Sequence, residues 1–263
     1  MLYDVHCHIQ ETPASYGVIK SQDNIRYCVQ ATNYVDWKDV VELKRRFGDK
    51  VIPAFGIHPW FVEKIESGDI PPYWKDDLRR LIKEHGGIVG ECGLDKVARN
   101  RESNQVYPFE PQIGLLKEHL RLACELNVPV SLHCVRAFGA LADVLRDGQE
   151  RKTLPPHIML HSYSGSADML RQMFCRGELG GRIYVSFSQF VNGRNVEKSK
   201  QCIQAVPEDR ILVESDLHDA AAASEALDSV IGLVSQARGW SADEARERLA
   251  DNSRRFFLRH GQS

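Results

Sequence analysis

Two histidines two residues apart, His6 and His8 in the run Asp-Val-His-Cys-His, are the first side chains able to share a cation. Similar polar residues recur at the ends of later apolar runs. Glu91 closes Ile-Val-Gly-Glu, His133 closes Val-Ser-Leu-His, His161 closes Ile-Met-Leu-His and Asp216 closes Leu-Val-Glu-Ser-Asp. His58, in Gly-Ile-His-Pro, is a seventh candidate. A single strand-end histidine is more often a hydrogen-bonded structural residue. Their recurrence at one end of successive elements carries the metal reading. Imidazole and carboxylate together suit Zn2+, Mn2+, Mg2+ or related divalent ions. Two such ions about 3.5–4 Å apart activate water and clamp a phosphoryl group.

Strand periodicity sorts the neighbours. With a period of two, His6 and His8 share a face and Cys7 faces the other way, as a packing residue. Cys92 beside Glu91 and Cys134 beside His133 follow the same rule. Asp4 and Glu214 fall on the ligand face one layer deeper and are expected to support it from there. The remaining histidines differ: His85, His119 and His260 sit in helical or pre-strand contexts, and His157 lies at the opposite end of its run from His161.

Eight short apolar runs must position these residues, at 2–5, 25–31, 51–55, 87–90, 129–132, 158–160, 182–187 and 210–213. Several lack polar alternation, as strands covered on both faces do. Amphipathic stretches alternate with them: 36–47 capped by Asp36, then 74–84, 112–126, 137–145, 166–174, 195–203 and 222–237. A last helix begins at Ser241, where Ser-Ala-Asp-Glu matches a capping box. This alternation predicts a (β/α)8 TIM-like barrel, in which every strand's C-terminal end opens on one face. Residues 9–24 show little helical period, so the first crossover helix is expected to be distorted or missing. No linker divides the chain, and residues 1–263 read as a single domain. The stretches 66–72 and 99–111 read as long loops at the barrel mouth.

Composition narrows the function. Of 263 residues, 43% are hydrophobic and 27% charged, the balance of a soluble protein with a large core. The net charge of −2 gives no global positive field for long duplex nucleic acid. Seven cysteines, an odd count without a Cys-x-x-Cys pair, argue for a reducing compartment. No signal peptide or membrane span is read, so a cytoplasmic protein is expected, with nuclear entry open.

Taken in order, Asp-Val-His-Cys-His (4–8), Gly-Ile-His-Pro (56–59), Gly-Glu-Cys-Gly-Leu-Asp (90–95), Pro-Val-Ser-Leu-His (129–133), His-Ser-Tyr-Ser-Gly (161–165), Val-Glu-Ser-Asp (213–216) and Asn-Ser-Arg-Arg-Phe (252–256) resemble the TatD-like metal-dependent hydrolases of the amidohydrolase superfamily. The N-terminal stretch also resembles a fungal branch some of whose members are named for protein interaction. The resemblance implies a (β/α)8 barrel and hydrolysis of phosphodiester bonds, typically in DNA, with two divalent ions. It implies that His6, His8 and Asp216 hold one ion, that His133 and His161 hold the second, and that Glu91 bridges both. His58 would line the phosphate side. On that basis Glu91 and Asp216 are the expected catalytic residues, Asp216 orienting the water and accepting its proton. His58, Arg136 and Lys96 are the expected substrate contacts.

Three departures from the family pattern fall on substrate contacts. Val135 stands where the family often has arginine, with Arg136 next. The Glu-Thr-Asp-x-Pro pattern becomes Glu-Ser-Asp-Leu-His, losing the proline and gaining His218. The stretch after Gly-Leu-Asp, commonly aromatic, reads Lys96-Val97-Ala98-Arg99. DNA ends or short phosphodiesters are the substrates expected. Two further readings stay open: hydrolysis of small ester or C–N substrates, and a protein-interaction module with a protein partner.

Overall fold

A computed structural model describes residues 1–21, 24–100 and 103–258. Eight strands form one parallel sheet in sequence order: β1 (Leu2–Cys7), β2 (Ile25–Gln30), β3 (Val51–Phe55), β4 (Ile88–Asp95), β5 (Val130–Val135), β6 (Ile158–Leu160), β7 (Ile183–Ser188) and β8 (Ile211–Glu214). The ends meet beyond β8, where Asp216 N–H donates to His6 O at 3.0 Å and His8 N–H donates to Leu217 O at 2.8 Å. The expected TIM-like barrel is therefore present. It brings β1 beside β8 and so His6 beside Asp216.

Helices cover the outside. The longer ones are Trp37–Phe47, Trp74–His85, Phe109–Leu126, Phe138–Glu150, Val196–Ala205, Ala220–Arg238 and Ala242–Phe257. Between strands and helices lies the larger apolar cluster, which takes in Val29, Leu43, Leu116, Leu141, Phe174 and Val234. Inside the barrel, away from the mouth, Tyr3, Val5, Ile88, Met159, Tyr184 and Leu212 form a second cluster. The site thus rests on a packed floor.

The first crossover is short, as the missing helical period predicts. Two single-turn 3-10 segments, Ile9–Glu11 and Pro13–Ser15, lead into Tyr16–Ser21. Ser241 caps the last helix, its Oγ accepting from Glu244 N–H at 3.2 Å. Asp36 does not act as the expected N-cap. It closes a capping box one turn earlier, accepting from Asn33 N–H at 3.3 Å while Asn33 Oδ1 accepts from Val35 N–H at 2.9 Å. The helix proper starts at Trp37. His260 lies outside the described residues.

Two strands carry an extra residue next to the site. In β1, Asp4 pairs with Tyr27 and Cys7 with Val29, so three steps on β1 match two on β2. In β4, the register also shifts between Val89 and Cys92, around Glu91. Such bulges re-aim side chains, which a strict period of two cannot foresee.

Candidate metal centre

Glu91 lies at the centre of the mouth, only 3% exposed. The sequence reading ends β4 near Glu91, but the strand continues to Asp95. Gly93 makes that continuation close to β5. Its φ is +152°, and a Cβ there would stand 2.0 Å from His133 O. Only glycine fits such an approach.

The two carboxylate oxygens of Glu91 face different partners. Oε2 lies 3.5 Å from His6 Nε2 and 3.4 Å from His8 Nε2. Oε1 lies 2.9 Å from His133 Nδ1, 2.9 Å from His161 Nε2 and 3.5 Å from His58 Nε2. Asp216 joins the first set, its Oδ1 3.9 Å from His6 Nε2 and 3.8 Å from His8 Nε2. One carboxylate therefore stands between two groups of imidazoles.

The outer nitrogens of these rings are held from behind. His8 Nδ1 meets Gln30 O at 3.0 Å, and a carbonyl only accepts, so the hydrogen sits on Nδ1 and the Nε2 lone pair points inward. The same logic applies to His133, whose Nε2 faces Asp95 Oδ2 at 3.3 Å, and to His161, whose Nδ1 faces Glu214 Oε1 at 3.3 Å. His6 Nδ1 pairs with Ser131 Oγ at 2.9 Å. Outer acceptors of this kind orient metal-ligating histidines and raise their basicity. The donor set fits divalent cations. Ligand atoms of His6, His8 and Asp216 lie within 4.8 Å of one another, as do those of His6, Glu91 and His161, and those of His58, Glu91 and His133.

Electrostatics follow from burial and proximity. Burial alone would raise the Glu91 carboxyl, but the imidazoles of His161, His58 and His6 hold it well below the usual carboxylate range. Burial opposes a proton on His161, yet Glu91 and Glu214 hold that imidazole well above its ordinary value. Burial pushes His6 down. The negative charge of the pocket therefore sits on the Glu91 and Glu214 carboxylates, among the imidazoles.

The residues predicted from sequence distribute as follows. His6, His8, Glu91, His133, His161 and Asp216 come together. Glu214 lies behind them, accepting from Ser162 N–H at 2.8 Å, from Ser162 Oγ at 2.6 Å and from Ser186 Oγ at 2.5 Å. Asp4 reaches the site from a different side than the one expected. It does not sit under the histidines, because the β1 bulge places Tyr3 and Val5 in the barrel interior instead. Its Oδ1 and Oδ2 accept from Ser215 N–H at 2.9 Å and Ser215 Oγ at 2.5 Å, gripping the residue between Glu214 and Asp216. Cys7, Cys92 and Cys134 all pack in the cluster beneath the helices, as alternation predicts.

His58 joins the cluster on the Oε1 side of Glu91. It is 4% exposed, and its Nδ1 accepts from Trp60 N–H at 3.3 Å, leaving Nε2–H toward Glu91. Lys96 and Arg136 remain exposed on the rim, and among the described residues no hydrogen bond or ion pair joins either to the ligands. Lys96 Nζ instead lies 4.9 Å from the centre of the Phe109 ring. Sequence reasoning missed Asp95, Ser131 and Gln30. Asp95 closes Gly-Leu-Asp, and its place four residues after Glu91 at the end of an unbroken apolar run is a usable signal.

The TatD-related DNase family matches residues 3–258. The Cut9-interacting protein scn1 of Schizosaccharomyces pombe is 28% identical, with 97% of this chain and 98% of the relative covered. The 3'-5' ssDNA/RNA exonuclease TatD of Erwinia tasmaniensis is 25% identical over 87% of this chain and 86% of its own. In structure, the TatD homolog YjjV of Escherichia coli K12 superposes with a TM-score of 0.76 at 25% identity, covering 97% of both chains. A family match across nearly the whole chain, on a barrel whose mouth gathers these histidines and carboxylates, means that the chain belongs to the TatD-related DNase family.

Proposed function

We propose that the protein is a phosphodiesterase, a deoxyribonuclease acting on DNA ends or short strands, working with two divalent cations held at the Glu91 cluster. The observation that carries this reading is the two-sided environment of Glu91: Oε2 toward His6 and His8, Oε1 toward His133 and His161. His6, His8 and Asp216 would hold one cation, His133 and His161 the other, with Glu91 shared. When bound, the pair supplies an activated water and neutralises charge on the phosphoryl oxygens.

The chain's own residues do the rest. Asp216, whose backbone N–H is held by His6 O at 3.0 Å, would orient the water and take its proton. His58 presents Nε2–H beside Glu91, a donor for charge that develops there. Lys96 and Arg136, at the adjoining ends of β4 and β5, meet the backbone of a bound strand. The net charge of −2 favours ends and short substrates over long duplex. The name of the S. pombe relative supports a protein partner as a second property of the same chain.

The test is direct. Metal-depleted protein is reloaded with Zn2+, Mn2+ or Mg2+ and given end-labelled single- and double-stranded DNA, a non-nucleotide phosphodiester and an amide. Hydrolysis of the phosphodiesters that depends on added cation is expected. Turnover of the amide alone, or bound cation with no turnover, would refute the reading.

A further inference from the structure

Several large apolar side chains are exposed in the segments that follow the strands: Val35, Trp60, Tyr73, Val97, Val106 and Phe190. Trp60 differs from the others because its ring also touches the ligand cluster. It stands edge-on to His58, with ring centres 4.6 Å apart, and 6.4 Å from the ring of His133. It remains 41% exposed.

The orientation of that ring is fixed. The indole N–H donates to Asp95 Oδ2 at 2.9 Å, the same oxygen that faces His133 Nε2 at 3.3 Å. An indole has one hydrogen-bond donor and no acceptor. With the donor engaged inside the protein, the exposed part of Trp60 offers only its π surface and edge. A ligand that uses it must bring a flat apolar ring.

Charge on the same flank completes the picture. Lys96 follows Asp95, and its N–H donates to Val135 O at 3.1 Å, so Lys96 and Arg136 sit at adjoining strand ends. Both side chains are exposed. An aromatic ring with cations beside it is the composition of single-strand nucleic-acid sites, where bases stack and phosphates are steered. A nucleotide carries its base one sugar away from the phosphorus, so a phosphodiester at the cluster brings a base to its margin.

We propose that Trp60 is the platform on which the base next to the hydrolysed phosphodiester stacks. The inference rests on the phosphodiesterase reading above and makes the preferred substrate single-stranded and base-bearing. Because every base has a π face, little sequence preference is expected.

The experiment compares two short single-stranded oligonucleotides, one with a natural base beside the hydrolysed bond and one with a tetrahydrofuran abasic residue there. Wild type, W60F and W60A are each loaded with the same cation. Wild type should prefer the base-bearing strand by about tenfold, the usual reach of one stacked base. W60F should keep most of that ratio and W60A should bring it close to one. Loss of the indole contact to Asp95 slows both substrates alike, so the ratio isolates stacking. If wild type cleaves both strands equally, or W60A keeps the preference, the platform is overturned while the phosphodiesterase reading stands. If wild type cleaves neither strand, that reading fails and the platform with it.

Discussion

His6 Nε2 and His8 Nε2 lie 3.3 Å apart with their Nδ1 atoms engaged by Ser131 and Gln30. Two imidazole nitrogens turned toward each other at this distance, buried and beside Glu91 and Asp216, are arranged for a cation. Chelation should therefore lower the melting temperature and readdition restore it. At a hundredfold excess over Kd the stabilisation is about 2.7 kcal/mol, which moves Tm by at least about 5 °C in a chain of this size. A His6→Ala, His8→Ala double variant should lose at least half of that shift and part of its bound metal. Thermal scans paired with elemental analysis read both, and an unchanged shift and stoichiometry would contradict the assignment.

Glu91 offers a sharper test because both imidazole groups depend on it. Glu91→Gln keeps the volume but replaces one oxygen by a donor, which then faces either His6 and His8 or His133 and His161. Bound metal should fall on both sides, and cation-dependent hydrolysis should drop by more than about a hundredfold, beyond the loss typical of an outer partner. A variant that stays fully active on the same strand would show that Glu91 does not bridge.

Much of this centre was legible because barrel topology converts sequence spacing into convergence. His133 and His161 are 28 residues apart, yet adjacent parallel strands place them 3.3 Å from each other. Apolar runs located the strands, and polar residues at their ends located the mouth. What periodicity could not reveal came from its interruptions. The bulge in β1 moved Asp4 to Ser215, and the bulge in β4 let that strand run on to Asp95. The ring orientation of His58 has another origin: its Nδ1 is taken by a backbone N–H in its own loop, a contact that residue types do not announce.

Asp95 is the clearest case of a residue important through its neighbours. Burial works against its charge, yet hydrogen bonds from His133, Trp60 and the Val97 N–H hold the carboxyl below the usual carboxylate range. Its Oδ1 also accepts from Val97 and Ala98 N–H at 3.0 and 2.9 Å, which orders the loop beyond β4. Asp95→Asn must turn an amide hydrogen toward either the His133 and Trp60 hydrogens or the loop N–H groups. Metal affinity or activity should fall about 10- to 100-fold. Calorimetric titration of metal-free protein measures the affinity, and an unchanged Kd at the His133 side would refute the role.

His119 ties acid stability to the same region from beneath. Its Nε2 accepts from Ile57 N–H at 3.1 Å and its Nδ1 meets Leu115 O at 2.9 Å, so the neutral ring fixes the backbone just before His58. Burial pushes its pKa down to about 4 from 6.5. Below pH 6.5 the unfolded chain takes up a proton that the folded chain refuses. The stabilisation is thus complete above 6.5 and is lost as pH falls toward 4, by about 3 kcal/mol over that window. His119→Gln should be less stable at pH 7, yet lose about that much less on acidification. Urea unfolding of both proteins at pH 7 and pH 4 tests this, and the metal-site groups cancel in the difference because they are common to both. Equal losses in the two proteins would mean that His119 is not the residue that titrates.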